Sequence, residues 1–216
     1  MTFESICENV KLAIQDTEWG SENPDELKWK VNQAYQETAE DTCITIPQLK
    51  AAAVLTTSTT LAYISAPVDF SKQLMIAPSD GTAEDLQVLD GGLEEMMKSF
   101  PSLDDTGDVR YVAFEGSTIW YQGIPSVAKT LVLLYMKTVT PLVNASDTPS
   151  IIPDHLHYGL LVNKAAELCW REIEDGLEGD KINTMRFRAY YQEALTQFNT
   201  YLLKRRSNVS RSIWDA

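Results

Sequence analysis

The chain reads as an α+β protein, with a bundle of N- and C-terminal helices and an inserted β-rich lobe. Three observations predict this. Apolar residues recur at three- and four-residue steps near both ends of the chain. Between them the texture changes to β-branched and aromatic runs punctuated by Pro, Gly and Asp. Length and composition agree: 216 residues, 44% apolar and 23% charged, suit one domain carrying a lobe. The expected divisions are N-terminal helices over 1–43, the lobe over 44–150, long C-terminal helices over 151–206, and a tail over 207–216.

The first helix is expected from Phe3, Ile6, Val10 and Ala13 or Ile14, which share one face. Trp19-Gly20-Ser21 breaks it. Asn23-Pro24-Asp25-Glu26 starts a second: Asn can cap, Pro suits the first helical position, and Glu can reach back to the cap. Leu27, Val31, Ala34, Tyr35 and Thr38 mark its buried side, and it fades near Cys43. In the lobe, Thr59 to Ile64 reads as a strand ending at Pro67. Leu74-Met75-Ile76 and Leu86 to Leu89 are further short strands. Asp90-Gly91-Gly92 opens a small helix in which Met96 and Met97 fill an amphipathic face. Val109 to Phe114 and Thr118 to Tyr121 flank Glu115-Gly116-Ser117 as a hairpin. Thr130 to Met136 lacks alternation, so it is expected to be central or buried on both faces. Trp120, Tyr121 and Tyr135 are expected in the lobe core. After Pro153 a helix carries the stripe Leu156, Leu160, Leu161, Lys164, Ala165, Leu168 and Cys169, and Gly176 and Gly179 break it. A final long helix from about Asp180 carries Ile182, Phe187, Tyr191, Leu195, Phe198 and Leu202.

Thirty-one acidic residues face 18 basic ones, for a net of −13 and a pI near 4.5. That balance disfavours non-specific adhesion to nucleic acid or anionic membrane, where attraction needs positive charge. The acid is uneven: residues 1–50 net −6, residues 51–150 net −7, and residues 151–216 are neutral. Lys204, Arg205, Arg206 and Arg211 against Asp215 alone make a basic end, which points to a tail with its own partner. Cys7, Cys43 and Cys169 are far apart and odd in number, which speaks against a disulfide framework or a metal site and for reduced thiols. No stretch approaches the ~20 apolar residues of a membrane span, and the start lacks a signal-peptide pattern. The expectation is a soluble protein made in the cytoplasm.

No constellation for catalysis stands out. His155 and His157 are two apart, which on a helix points them in divergent directions; a surface or capping role is expected of one or both. GxSxG, HExxH, P-loop and GxGxxG motifs are absent. Glu94-Glu95 and Asp104-Asp105 read as solvated acids, and Cys169 as a small buried hydrophobe. The reading is therefore a non-enzyme without cofactor or metal. Aromatics do not alternate with a basic face, as they would in a nucleic-acid reader.

Several stretches in a fixed order carry a likeness. Trp19 precedes a helix with Val31-Asn32-Gln33-Ala34-Tyr35-Gln36. A strand then leads to Ala66-Pro67-Val68-Asp69-Phe70. An aromatic strand meets a Pro turn at Ile119-Trp120-Tyr121-Gln122-Gly123-Ile124-Pro125, followed by Leu131 to Tyr135. The fullest stretch is Asp147-Thr148-Pro149-Ser150-Ile151-Ile152-Pro153-Asp154-His155-Leu156-His157-Tyr158-Gly159-Leu160-Leu161-Val162, running into an Ala-rich helix and a Tyr191 to Leu195 helix. Over nearly its whole length the chain resembles the head-to-tail adaptor proteins of tailed bacteriophages. The resemblance implies a virion protein of the neck, assembled in the host cytoplasm. It implies a ring, usually of twelve subunits, beneath the portal protein, with a downstream neck or tail protein below. DNA passes without sequence-specific binding, and no membrane is involved. It also implies a C-terminal segment that engages the portal, here Lys204, Arg205, Arg206, Arg211 and Trp214. The stretch Asp90 to Asp108 departs from the pattern as an extra-looking length. A second reading, an intracellular binding or regulatory protein or an enzyme using a site in the lobe, takes the acid as plain solubility.

Overall fold

The computed structural model describes residues 1–15, 22–42, 46–79, 86–174 and 181–211, with side chains through Arg205. Trp19, Cys43, Gly176, Gly179 and Trp214 lie outside the described residues. The fold is α+β, about 47% helix and 22% strand. It divides into two compact units: Met1–Gln48 with Val139–Ala216, and Leu49–Thr138.

The first unit is helical. Helix α1 (Phe3–Ile14) begins where the Thr2 hydroxyl accepts from the Ser5 amide at 3.3 Å. It buries Phe3, Ile6, Val10 and Ile14, the stripe expected from spacing. Helix α2 (Pro24–Asp41) buries Leu27, Val31, Ala34, Tyr35 and Thr38, and also Lys30. The segment after Pro153 is a helical path of changing pitch: a tight turn at Asp154–Leu156, a wide π turn at Tyr158–Val162, then α3 (Asn163–Ile173). The wide turn is where Gly159 matters, because a Cβ there would sit 2.8 Å from the Cβ of Ala194. Helix α4 (Ile182–Arg211) packs on α3 through Phe187, Tyr191, Ala194, Leu195, Phe198 and Leu202.

One expectation fails in this unit, and the two histidines divide. Ile182 is 66% exposed, because the first inward residue of α4 is Thr184. His157 is fully buried, its Nε2 donating to the Ile152 carbonyl at 2.8 Å, whereas His155 is exposed as expected.

The second unit is a sandwich of two small sheets. Strands β1 (Lys50–Thr56), β7 (Thr130–Lys137) and β3 (Phe70–Pro78) form an antiparallel sheet with β7 central, as its unalternating sequence suggested. Strands β2 (Tyr63–Ser65), β6 (Thr118–Tyr121), β5 (Tyr111–Glu115) and β4 (Gln87–Leu89) form the other. Their facing sides share one core: Leu131, Leu133 and Tyr135 from one sheet, Val112, Ile119 and Tyr121 from the other. Trp120 instead turns outward, half-buried against Tyr63 at 4.7 Å. The β5–β6 hairpin turns on Gly116 at φ +56° and Ser117.

Strand β4 runs parallel to β5, and adjacent parallel strands need a crossover. That crossover contains helix α5′, named for its place in the lobe (Gly92–Ser99), and accounts for the extra length at Asp90 to Asp108. The helix lies on the outer side of its sheet: Ala113 is fully buried although it points away from Val112, and Phe100 meets Tyr111 at 5.0 Å. Met96 is buried and Met97 is 54% exposed, so the two methionines do not share the filling role expected of both.

The strand expected over Thr59 to Ile64 is shorter, starting only at Tyr63. Upstream, the Ser58 hydroxyl accepts from the amides of Thr60 and Leu61 at 3.1 and 3.0 Å, a local turn that outcompetes a ladder. The buried Tyr121 phenol pins this turn, accepting from the Ser58 amide at 2.9 Å and donating to the Leu61 carbonyl at 2.7 Å. Tyr121→Phe is expected to cost about 1–3 kcal/mol, because buried backbone groups lose their partner. Urea denaturation of the two proteins measures it.

Helix α4 starts under a borrowed cap. The Glu174 carboxylate accepts from the amides of Asn183 and Thr184, both at 3.1 Å, and from the Thr184 hydroxyl at 2.7 Å. Burial opposes its charge, but the Thr184 and Asn183 bonds outweigh burial and hold the carboxyl below the usual glutamate range. A lowered folded pKa means that the stabilisation is present at neutral pH and is lost as the pH falls below about 4. Glu174→Gln is expected to lose about 1 kcal/mol at neutral pH. In denaturant titrations the gap between variant and wild type should narrow as the pH is lowered through that range.

Candidate functional site

The basic run singled out in the sequence sits on the end of α4. A helix of 30 residues is about 45 Å long. Its inward stripe steps through Thr184, Phe187, Tyr191, Leu195, Phe198 and Leu202. Beyond Leu202 no described side chain is buried, yet the helix continues to Arg211, about 13 Å further. Leu203, 54% exposed, Lys204 and Arg205 are the first residues of this extension. Arg205 donates to the Tyr201 hydroxyl at 3.4 Å, and the Tyr201 ring meets His155 edge-on at 6.1 Å. Lys204 and Arg205 are therefore presented together. Arg206 and Arg211 continue the same helix, but their side chains and Trp214 are outside what is described.

The titratable groups inside the helical unit serve structure. Burial pushes the Cys7 thiol up to about 11 and the Cys169 thiol up to about 12, so neither is a thiolate near neutral pH. Burial also lowers the basicity of His157, whose ring is fixed on the Ile152 carbonyl. Glu167 is buried but accepts from Arg188 Nε at 3.0 Å and faces Lys164 at 3.4 Å. Among the described residues, no group of three or more His, Cys, Asp or Glu could hold a metal ion. Among them, too, no helix is long and apolar enough to cross a membrane.

Three shallow grooves cut the helical unit. One of about 340 Å³ lies between α1 and α2, beside Cys7, Lys11 and Lys28. One of about 530 Å³ follows α2 past Trp29, which is 60% exposed. The third, about 360 Å³, lies between the wide turn and α4, flanked by the half-exposed rings of Tyr158 and Tyr190. The first sets Cys7 beside Glu4 and Glu8, but its thiol is held up at about 11, and the exposed aromatics at the rims of the other two suit protein contact better than chemistry. Sequence reasoning missed Trp29, Tyr158 and Tyr190. Their signal was present, as aromatics lying off the buried stripe of their helices.

A family model described as SU10 adaptor protein matches residues 1–213. No curated protein matches the chain significantly. The match runs through the helical unit and the β unit in the order expected from the sequence, and stops one residue before Trp214. The chain belongs to the SU10 adaptor protein family and is a structural adaptor protein of a phage.

Proposed function

We propose that the protein forms a ring in the neck of the virion, beneath the portal, that joins the DNA-filled head to the tail. A ring of twelve subunits, as the family resemblance implies, would line the DNA exit channel and meet a downstream neck or tail protein on its other side. One observation carries the portal assignment. Helix α4 outruns its own packing stripe by about two turns, and those turns hold the basic cluster of an otherwise acidic chain. A helix end on which Leu203, Lys204 and Arg205 are exposed, and whose sequence goes on to Arg206 and Arg211, is suited to an acidic partner surface. Trp214 adds an aromatic of the kind that anchors protein interfaces. The body complements this division: at net −13, a lumen lined by carboxylates repels phosphate and lets DNA slide.

The test is Trp214→Ala combined with charge reversal of Arg205, Arg206 and Arg211. Binding of the full chain to purified portal rings should weaken at least about a hundredfold, the scale of losing an interface hot spot with its charge pairs. The unfolding midpoint should stay at the wild-type value, since no described side chain beyond Leu202 is buried. Binding of the wild-type protein should also weaken as salt is raised. Portal joining at wild-type strength by the variant would remove the tail assignment.

A further inference from the structure

The two outer sides of the sandwich differ. The four-stranded sheet has α5′ on its back, whereas among the described residues the three-stranded sheet carries no element of its own unit there. Reading across β1, β7 and β3, its outer residues fall into rows. Lys50, Met136 and Lys72 form the first, Ala52, Leu134 and Met75 the second, and Val54, Val132 and Ala77 the third; Thr56 and Thr130 close the far end. Val54 is 71% exposed, Met75 59% and Val132 37%. In a chain with 31 acidic residues these rows hold no carboxylate, and the lysines on the two edge strands bracket Met136. An apolar face free of acids, on a protein that is otherwise strongly negative, is a contact surface in composition.

The opposite side of the same sandwich has the complementary character. Helix α5′ exposes Met97 with Glu94 one turn before it, and the exposed Asp90 lies in the turn that leads into the helix. The crossover from Asp90 to Asp108 carries six acids against the single Lys98. We infer that the bare face of the three-stranded sheet receives the α5′ side of the lobe from a second copy of this chain, Met97 entering the apolar rows and the acids facing Lys50 and Lys72. Two copies at net −13 repel, so close approach requires a face from which carboxylates are missing. A pairing of two different faces is heterologous and repeats from copy to copy, which is the geometry that closes rings. The inference rests on the ring reading above and names the lobe surfaces that build it.

The experiment follows self-association of the full chain by sedimentation velocity, free and mixed with portal rings. Val54→Glu with Met75→Glu places two carboxylates on the apolar rows and should raise the concentration for half-assembly at least about a hundredfold. Both sites are exposed, so circular dichroism and the unfolding midpoint should not change. Lys50→Glu with Lys72→Glu should also weaken assembly, and adding Asp90→Lys with Glu94→Lys in the same chain should restore it. Wild-type assembly by the Val54→Glu, Met75→Glu protein overturns the inference, and rings that still form on portal in that case leave the portal reading standing. Failure of the four-residue swap to restore assembly overturns the pairing with α5′. Wild-type protein that binds portal but never associates with itself overturns it as well, and failure to bind portal at all counts against the function proposed above.

Discussion

The ammonium group of Lys164 sits where three helices of the first unit meet, and the packing of that unit is organised around it. It pairs with Glu37 of α2 at 2.9 Å, faces Glu167 on its own helix at 3.4 Å, and lies 4.9 Å from the centre of the Tyr191 ring of α4. Glu167 in turn accepts from Arg188 of α4 at 3.0 Å, and the Tyr191 hydroxyl donates to Asp41 of α2 at 2.8 Å. Nearby, buried Lys30 of α2 pairs with Glu172 of α3 and, at 3.3 Å, with Glu26. Buried ion pairs of this kind add little net stability, because desolvation offsets the attraction. Their effect is on register. A shift of α4 by one residue along α3 would take Arg188 from the buried Glu167 carboxylate and leave it Lys164 alone, and a buried charge that loses a partner costs more than the pair contributes.

That constraint explains what was legible in the sequence and what was not. The stripes of α1 and α2 follow from apolar spacing alone, so Phe3, Ile6, Val10, Ile14, Leu27 and Val31 were readable. Lys30 and Glu167 were not, since charged residues on a buried side are recognisable only when their partners, about 140 and 20 residues away, are known to face them. Ile182 erred in the opposite sense. It continues the apolar spacing of α4, but Glu174 caps that helix through Thr184 and turns the stripe inward from there. Spacing sets His155 and His157 in divergent directions but does not tell which is inside; the turns between Asp154 and Val162 change pitch and carry the His157 ring inward.

The lobe shows a different limit. Its hairpin was readable from Glu115-Gly116-Ser117, and its central strand from the unbroken apolar run Thr130 to Met136. Strand β1 went unrecognised because Lys50-Ala51-Ala52-Ala53 is composed of good helix formers and becomes a strand only through seven paired residues of β7. The bare face is invisible in sequence for a related reason. Its rows are drawn from alternate residues of three strands that are not consecutive in the chain, so no window contains them. The basic end was the converse case, contiguous in sequence and therefore found at once, while its presentation on a helix that outlasts its packing stripe needed the structure.

The two units handle charge differently. The helical unit satisfies the charges it buries locally, Glu167 by Lys164 and Arg188, Lys30 by Glu26 and Glu172, and Glu174 by the Thr184 cap. The lobe has few such pairs among its described residues, Lys129 with Asp108 at 3.2 Å and Lys98 with Glu94 at 2.6 Å, and instead segregates its charge, acids on the crossover side and none on the bare sheet. A monomer gains nothing from that segregation; mixed signs would serve solubility better and an exposed apolar face invites aggregation. Segregation becomes useful when unlike faces of neighbouring copies meet, because the same arrangement that discourages random contact through acid-to-acid repulsion leaves one low-repulsion pairing. The net charge of −13 then does two things at once, keeping phosphate at a distance and limiting how copies of the chain can touch.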